Sequence, residues 1–169
     1  MNQTASLLPP PLRPGDGISV IAPASPFDRN KFHAGLSVIE RLGFRPVFND
    51  DLFQSTGYLA GSDQHRAAAF NAAFSHDQTT AVWCVRGGYG ALRILPFIDY
   101  QGIQSRPKVL IGSSDITAIL HAIGLRCCMA AFHGPMIASL CHASPPTMDA
   151  FARLFQWQPN YTVVPETPV

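Results

Sequence analysis

The segment KVLIGSSDITAIL, residues 108–120, is the most informative part of the sequence for the fold. Residues 108–111 form a short apolar run, which is typical of a strand buried on both faces of a sheet. The polar turn GSSD follows at once, and residues 116–123 have the pattern of a helix. A strand that passes through so short a turn into a helix is typical of parallel sheets, in which helices connect the strands.

The same alternation extends over most of the chain. Predicted strands cover residues 17–22, 44–48, 81–85, 108–111 and 128–132, and predicted helices cover residues 30–42, 62–74, 116–123 and 144–157. This order predicts a doubly wound α/β domain, with a mainly parallel sheet flanked by helices in a flavodoxin-like arrangement. We expect this domain to span residues 17–158, after a flexible arm over residues 1–16 and before a linker that starts at residue 159.

The amino-acid composition and the net charge indicate which class of protein this chain belongs to. Hydrophobic residues make up 47% of the chain and charged residues 14%, which predicts a globular protein with a full core. The formal net charge of +1 gives no reason to expect nucleic acid or a membrane surface as a partner. No apolar run approaches the ~20 residues that span a bilayer, and the N-terminus lacks the pattern of a secretory signal.

Cysteine and histidine usage gives no sign of a metal or of a disulfide framework. The four cysteines include no CxxC pair, so we expect reduced and mostly buried thiols in a cytoplasmic protein. No two of the six histidines have the spacing of metal ligands. The sequence therefore predicts neither a metal nor a cofactor.

Ser114 is the candidate nucleophile. A G-x-S turn between a strand and a helix is the geometry of a nucleophile elbow, which exposes the serine hydroxyl. The backbone N–H of Asp115 and the helix N-terminus would then stabilise a developing oxyanion. The same residues also read as an ordinary helix cap, so both interpretations remain open at this point.

The loop RGGYG, residues 86–90, is the second candidate, directly after the third predicted strand. Its glycines let backbone amides approach a ligand, and Arg86 can pair with a carboxylate. The alternatives are a plain tight turn and a phosphate-binding loop, whose GxGxxG fingerprint is incomplete here.

The turn PASP, residues 23–26, has no glycine and argues against a dinucleotide. His133 either lines the same crevice or is structural.

Four segments together resemble the LD-carboxypeptidase family of serine peptidases. They are IAPASP at 21–26, AVWCVRGGYGALRILPFIDY at 81–100, PKVLIGSSDITAIL at 107–120 and FHGPM at 132–136. The resemblance implies a cytoplasmic enzyme of murein recycling that removes the terminal D-alanine from tetrapeptides, using a Ser–His–Glu triad without a metal. A relative with the same fold, the microcin C self-immunity peptidase, implies peptidyl nucleotides as the alternative substrate.

The resemblance also implies roles for particular residues. Ser114 is the nucleophile rather than Ser113, which stands where the family usually has an aromatic residue and whose side chain should point elsewhere. The oxyanion amides are those of Gly88 and Asp115. The predicted contacts to the muropeptide substrate come from the glycine loop, with its arginine facing the terminal carboxylate: Arg86, Gly87 and Tyr89.

The resemblance further implies that the Glu and the His of the triad lie in a C-terminal domain absent from this sequence. None of the six histidines matches the catalytic one. A serine without its base is a weak nucleophile, so the chain alone is predicted to be inactive. A non-catalytic remnant that binds muropeptide is a further interpretation. The face toward the absent domain is expected to be apolar, and a homodimer is compatible with the family.

Overall fold

The computed structural model describes residues 7–155 and contains one parallel sheet of five strands. The strands are β1 (Gly17–Ile21), β2 (Arg45–Val47), β3 (Ala81–Cys84), β4 (Val109–Gly112) and β5 (Phe132–His133). They lie in the order β2-β1-β3-β4-β5, and every pair is parallel. The predicted doubly wound α/β fold is confirmed. The strand order reverses between β1 and β3, where the carboxyl ends of such sheets form a crevice.

Six α-helices cover the sheet in the described part of the chain. They are α1 (Arg29–Arg41), α2 (Asp63–Ser75), α3 (Ala91–Ile94), α4 (Tyr100–Ser105), α5 (Thr117–Cys127) and α6 (Pro145–Phe155). Short 3-10 segments occur at Asp50–Phe53, Leu95–Phe97, Ser114–Ile116 and Ile137–His142. No helix in residues 7–155 is long and apolar enough to cross a membrane.

Strand β3 shows how the core is divided into two layers. Successive side chains of a strand point to opposite faces of the sheet. Trp83 and Val85 therefore join the layer under α1, whereas Val82 and Cys84 join the layer under α2 and α5. All four are fully buried, which explains the continuous apolar run of this strand.

The ends of the first two helices follow local sequence signals. The Asp28 carboxylate accepts a hydrogen bond from the Lys31 N–H at 2.9 Å and caps α1. Gly43, just past its end, has φ of +86°, as the predicted stop requires. The predicted cap of α2 is confirmed, since Ser62 Oγ accepts from the His65 N–H at 3.1 Å.

A fifth strand is present, but its predicted bounds, residues 128–132, are wrong. Helix α5 continues to Cys127, and Cys128 ends it in a left-handed conformation with φ of +51°. Strand β5 therefore starts only at Phe132. Met129 instead forms an isolated parallel bridge with Leu7.

The start of the chain also differs from the expected arm. Leu7 donates its N–H to the Cys128 carbonyl at 2.7 Å, and the Leu12 side chain is 1% exposed within the core. Residues 7–16 thus lie against the domain. The rest of the arm, the predicted end of the last helix at Trp157 and the linker from residue 159 lie outside the described residues.

The four cysteines are free, but only two match the expected burial. Cys84 and Cys127 are buried, whereas Cys128 and Cys141 are exposed.

Lys108 carries a buried amino group at the amino end of β4. Its Nζ donates to the Ala73 carbonyl at 2.9 Å, the His76 carbonyl at 2.6 Å and Thr79 Oγ1 at 2.9 Å. The residue is 6% exposed, and burial lowers the pKa of its ammonium group to about 8 from 10.5. Between these two values the unfolded chain binds more protons than the folded one, so this group makes the free energy of unfolding rise with pH.

Between pH 8 and 10.5, we expect the free energy of unfolding of the wild type to rise by about 3 kcal/mol relative to that of Lys108→Met. Urea denaturation of both proteins across this range measures the difference. Burial raises the pKa of the Cys84 thiol and opposes this trend at high pH, but it acts equally on both proteins and cancels. A difference that does not change with pH would contradict this assignment.

Candidate active site

Ser114 has an unusual backbone conformation at the carboxyl end of β4. Ser113 is extended, with φ of −157°, whereas Ser114 has φ of +57° and starts the 3-10 turn that leads into α5. Only Ser114 and Cys128 have positive φ among the non-glycine residues of 7–155. Cys128 ends a helix, where this conformation is common, but Ser114 begins one. Strain of this kind, with an exposed serine, is the geometry of a nucleophile elbow.

Small and buried neighbours hold this turn in place. A Cβ on Gly112 would lie 2.5 Å from Cγ2 of Ile116, so only glycine fits before the turn. The Ile116 side chain is fully buried and anchors the start of the helix. The Gly112 carbonyl accepts from the Gly134 N–H at 3.0 Å, which ties the turn to the segment after β5.

The glycine loop after β3 lies directly against Ser114. A Cβ on Gly87 would be 3.1 Å from Cβ of Ser114 and 3.2 Å from the backbone nitrogen of Asp115. The structure therefore brings together the two segments that the sequence singled out, although they are more than 20 residues apart. The Gly87 backbone and the Asp115 backbone nitrogen therefore lie close together beside Ser114.

Asp115 joins the two segments through its side chain. Its Oδ2 accepts the Ala91 N–H at 2.9 Å, at the start of α3. Gly90, just before that residue, has φ of +115°. The Asp115 carboxylate thus fixes the far end of the glycine loop.

Ser25, in the turn after β1, holds the middle of the glycine loop. Its N–H donates to the Gly87 carbonyl at 3.2 Å, and its Oγ accepts the Tyr89 N–H at 3.1 Å. Between them, Gly88 has φ of +107°, and a Cβ there would overlap Ser25 Oγ. The sequence analysis used this turn to argue against a dinucleotide and as part of the family resemblance, but gave Ser25 no role. The position of the turn directly after a predicted strand was the available signal.

Arg66 was also missed by the sequence analysis. It is 1% exposed in α2, and its Nη1 donates to the Pro23 carbonyl at 2.6 Å and the Gly90 carbonyl at 2.8 Å. Its Nη2 bonds to Asp63, which also pairs with Arg93 at 2.9 Å. Hydrogen bonds from Arg93 hold the pKa of the Asp63 carboxyl below its ordinary value. A lone arginine in the alanine-rich stretch RAAAF was the available signal for a buried cation.

The other predicted contact residues lie at the rim of the loop. Arg86 is exposed, and its Nη1 donates to the Pro26 carbonyl at 3.0 Å. Tyr89 is 54% exposed, and its ring lies 5.5 Å from that of Tyr58.

His133 is exposed at the end of β5 and lines a depression beside α5 to which Ser114 does not contribute.

No histidine or glutamate among residues 7–155 forms a hydrogen bond with Ser114. That stretch also contains no cluster of three or more histidine, cysteine or carboxylate side chains able to hold a metal ion.

Comparison with known proteins identifies the family of the chain. The family model of the LD-carboxypeptidase N-terminal domain matches residues 18–134. A probable murein peptide carboxypeptidase of Bacillus subtilis is 39% identical over 151 residues, which cover 88% of this chain and 47% of that protein. The murein tetrapeptide carboxypeptidase of Pseudomonas aeruginosa is 37% identical over 130 residues, 76% of this chain and 42% of that protein.

A solved structure shows the same fold. The microcin C7 self-immunity protein MccF, in complex with aspartyl sulfamoyl adenosine, superposes with a TM-score of 0.85 at 29% identity, covering 94% of this chain and 50% of that one. The chain spans about half the length of the curated relatives that it matches. With its parallel sheet, its strained serine and a family match over most of its residues, the chain belongs to the LD-carboxypeptidase family of peptidases and contains the family's N-terminal domain.

Proposed function

We propose that this chain is the nucleophile-bearing domain of a serine carboxypeptidase that releases the terminal D-alanine from murein tetrapeptides. The observation that carries the proposal is the left-handed conformation of Ser114 at the start of a helix, against a glycine loop. The names of the relatives from Bacillus subtilis and Pseudomonas aeruginosa support the substrate class.

The proposed reaction is acyl transfer followed by hydrolysis. Ser114 Oγ attacks the carbonyl carbon of the last peptide bond and gives up its proton to a base. The C–N bond breaks, the nitrogen takes a proton, and D-alanine leaves. Water then cleaves the ester on Ser114 and frees the tripeptide. The backbone N–H groups of Gly88 and Asp115 stabilise the oxyanion in both steps.

The base is proposed to come from outside the described residues. The coverage supports this, because the chain spans only about half the length of the curated relatives that it matches. We therefore expect the working enzyme to be a longer gene product, with a further domain that supplies the His and the Glu. It is called the full-length enzyme below. The chain of 169 residues by itself is expected to release no D-alanine.

Arg86 is proposed to bind the terminal carboxylate of the substrate. Its guanidinium group is exposed beside the glycine loop, and a planar guanidinium pairs well with a carboxylate. We expect Arg86→Ala in the full-length enzyme to raise KM about tenfold or more, because a charge-assisted pair is lost from ground-state binding. Steady-state kinetics alongside Arg29→Ala, an exposed arginine in the first turn of α1, measures this. An equal KM in the two variants would remove Arg86 from the binding site.

The proposed function is tested by giving the full-length enzyme two substrates. One is a murein tetrapeptide, with release of D-alanine as the readout, and the other is an aspartyl adenylate analogue with a cleavable link. Preference for the tetrapeptide supports the proposal. Preference for the nucleotide supports the second candidate, an immunity-type peptidase, which the likeness to MccF favours. Binding of muropeptide without turnover by the full-length product would instead indicate a non-catalytic remnant.

A further inference from the structure

The Gly87–Gly88 peptide group carries both a donor and an acceptor at the site. In a trans peptide the carbonyl of one residue and the N–H of the next point in opposite directions. No cis peptide bond occurs in residues 7–155. Because the Gly87 carbonyl accepts from the Ser25 N–H at 3.2 Å, the Gly88 N–H must point away from Ser25.

This orientation is not secured by the glycines themselves. A peptide group between two glycines rotates easily, since neither residue restricts its backbone through a side chain. Rotation by half a turn would direct the Gly88 N–H toward Ser25 and the Gly87 carbonyl oxygen to the opposite side. An oxygen atom there would repel the oxyanion that the N–H is proposed to stabilise.

Ser25 opposes this rotation from both sides of Gly88. Its N–H holds the preceding carbonyl, and its Oγ accepts the following N–H, from Tyr89, at 3.1 Å. The Ser25 side chain also packs against the Cα of Gly88, where a Cβ would overlap Oγ. Ser25 is 8% exposed, so its side chain is buried beside the loop.

We infer that Ser25 is a positioning residue, which keeps the Gly88 N–H directed at the oxyanion. The inference rests on the proposed function, because it assigns a role within that reaction. It predicts that loss of the Ser25 hydroxyl weakens stabilisation of the transition state but leaves binding of the substrate unchanged.

The first test is Ser25→Ala in the full-length enzyme, with Ser19→Ala as the matched control. Ser19 lies in β1, is 5% exposed and bonds through Oγ to Thr79 at 2.8 Å, away from the loop. We expect Ser25→Ala to lower kcat about tenfold with KM changed less than about twofold, and Ser19→Ala to leave both constants near the wild type. Equal kcat values in the two variants, or a change in KM alone, would overturn the inference.

The second test does not depend on activity. In the 169-residue chain labelled with nitrogen-15, relaxation dispersion detects peptide rotation on the microsecond to millisecond timescale. We expect exchange at the Gly88 and Tyr89 amides in Ser25→Ala and not in Ser19→Ala. If the wild-type enzyme releases no D-alanine, the proposed function fails, and this experiment alone decides whether Ser25 holds the peptide. Exchange that matches in both variants, or exchange in an active enzyme without loss of kcat, would contradict the inference.

Discussion

Replacing Ser114 with alanine is expected to lower kcat of the full-length enzyme by about a million-fold, as when other serine proteases lose their nucleophile. The hydroxyl forms the covalent bond in the proposed reaction, and no other side chain in the turn is presented in the same way. KM should change little, because a single hydroxyl adds little to binding of the ground state. D-alanine release under steady-state conditions measures both constants.

Ser113→Ala is the matched control for this experiment. The two serines are adjacent, but Ser113 is extended and half-buried, whereas Ser114 is exposed in the left-handed conformation. We expect Ser113→Ala to keep kcat near the wild-type value. Full activity in Ser114→Ala, or a comparable loss in Ser113→Ala, would show that the wrong serine has been chosen.

The second large effect is expected at Gly88. Its φ of +107° is strained for any residue with a side chain, and a Cβ would overlap Ser25 Oγ. Gly88→Ala should therefore move the loop and displace one oxyanion donor, lowering kcat by about 100- to 1000-fold. The readout is again kcat for D-alanine release, with circular dichroism to show that the variant is folded.

Gly124→Ala provides the comparison. Gly124 is an exposed glycine within α5, and no atom lies within 4 Å of the position that a Cβ would take. Alanine there should leave kcat unchanged and raise the free energy of unfolding by about 0.5–1 kcal/mol. If Gly88→Ala were as active as Gly124→Ala, its N–H would not contribute to catalysis.

Most of the fold could be predicted because its signals are local. Three of the five strands, β1, β3 and β4, are buried and mostly apolar runs bounded by turns, and Ser62 and Gly43 mark helix ends through their own side chain or backbone. The fifth strand was misplaced because α5 runs on to Cys127, and the two-residue β5 depends on pairing with β4 rather than on its own composition. Helices α3 and α4 are too short to show a clear period.

The candidate site was predicted only in part, for a related reason. Ser114 and the glycine loop each follow a strand and have recognisable residue types. Ser25 and Arg66 act through contacts with residues 24 or more positions away, which arise only because β1 and β3 are neighbours in the sheet. No single segment of the sequence encodes that neighbourhood.

A covalent trap shows which residue is the nucleophile. The full-length enzyme is incubated with a peptide phosphonate that mimics the tetrahedral intermediate at the last peptide bond, then digested and mapped by mass spectrometry. We expect a single adduct on Ser114, which is absent in Ser114→Ala and present in Ser113→Ala. An adduct on Ser113 or on another residue, or D-alanine release that the phosphonate does not inhibit, would contradict it.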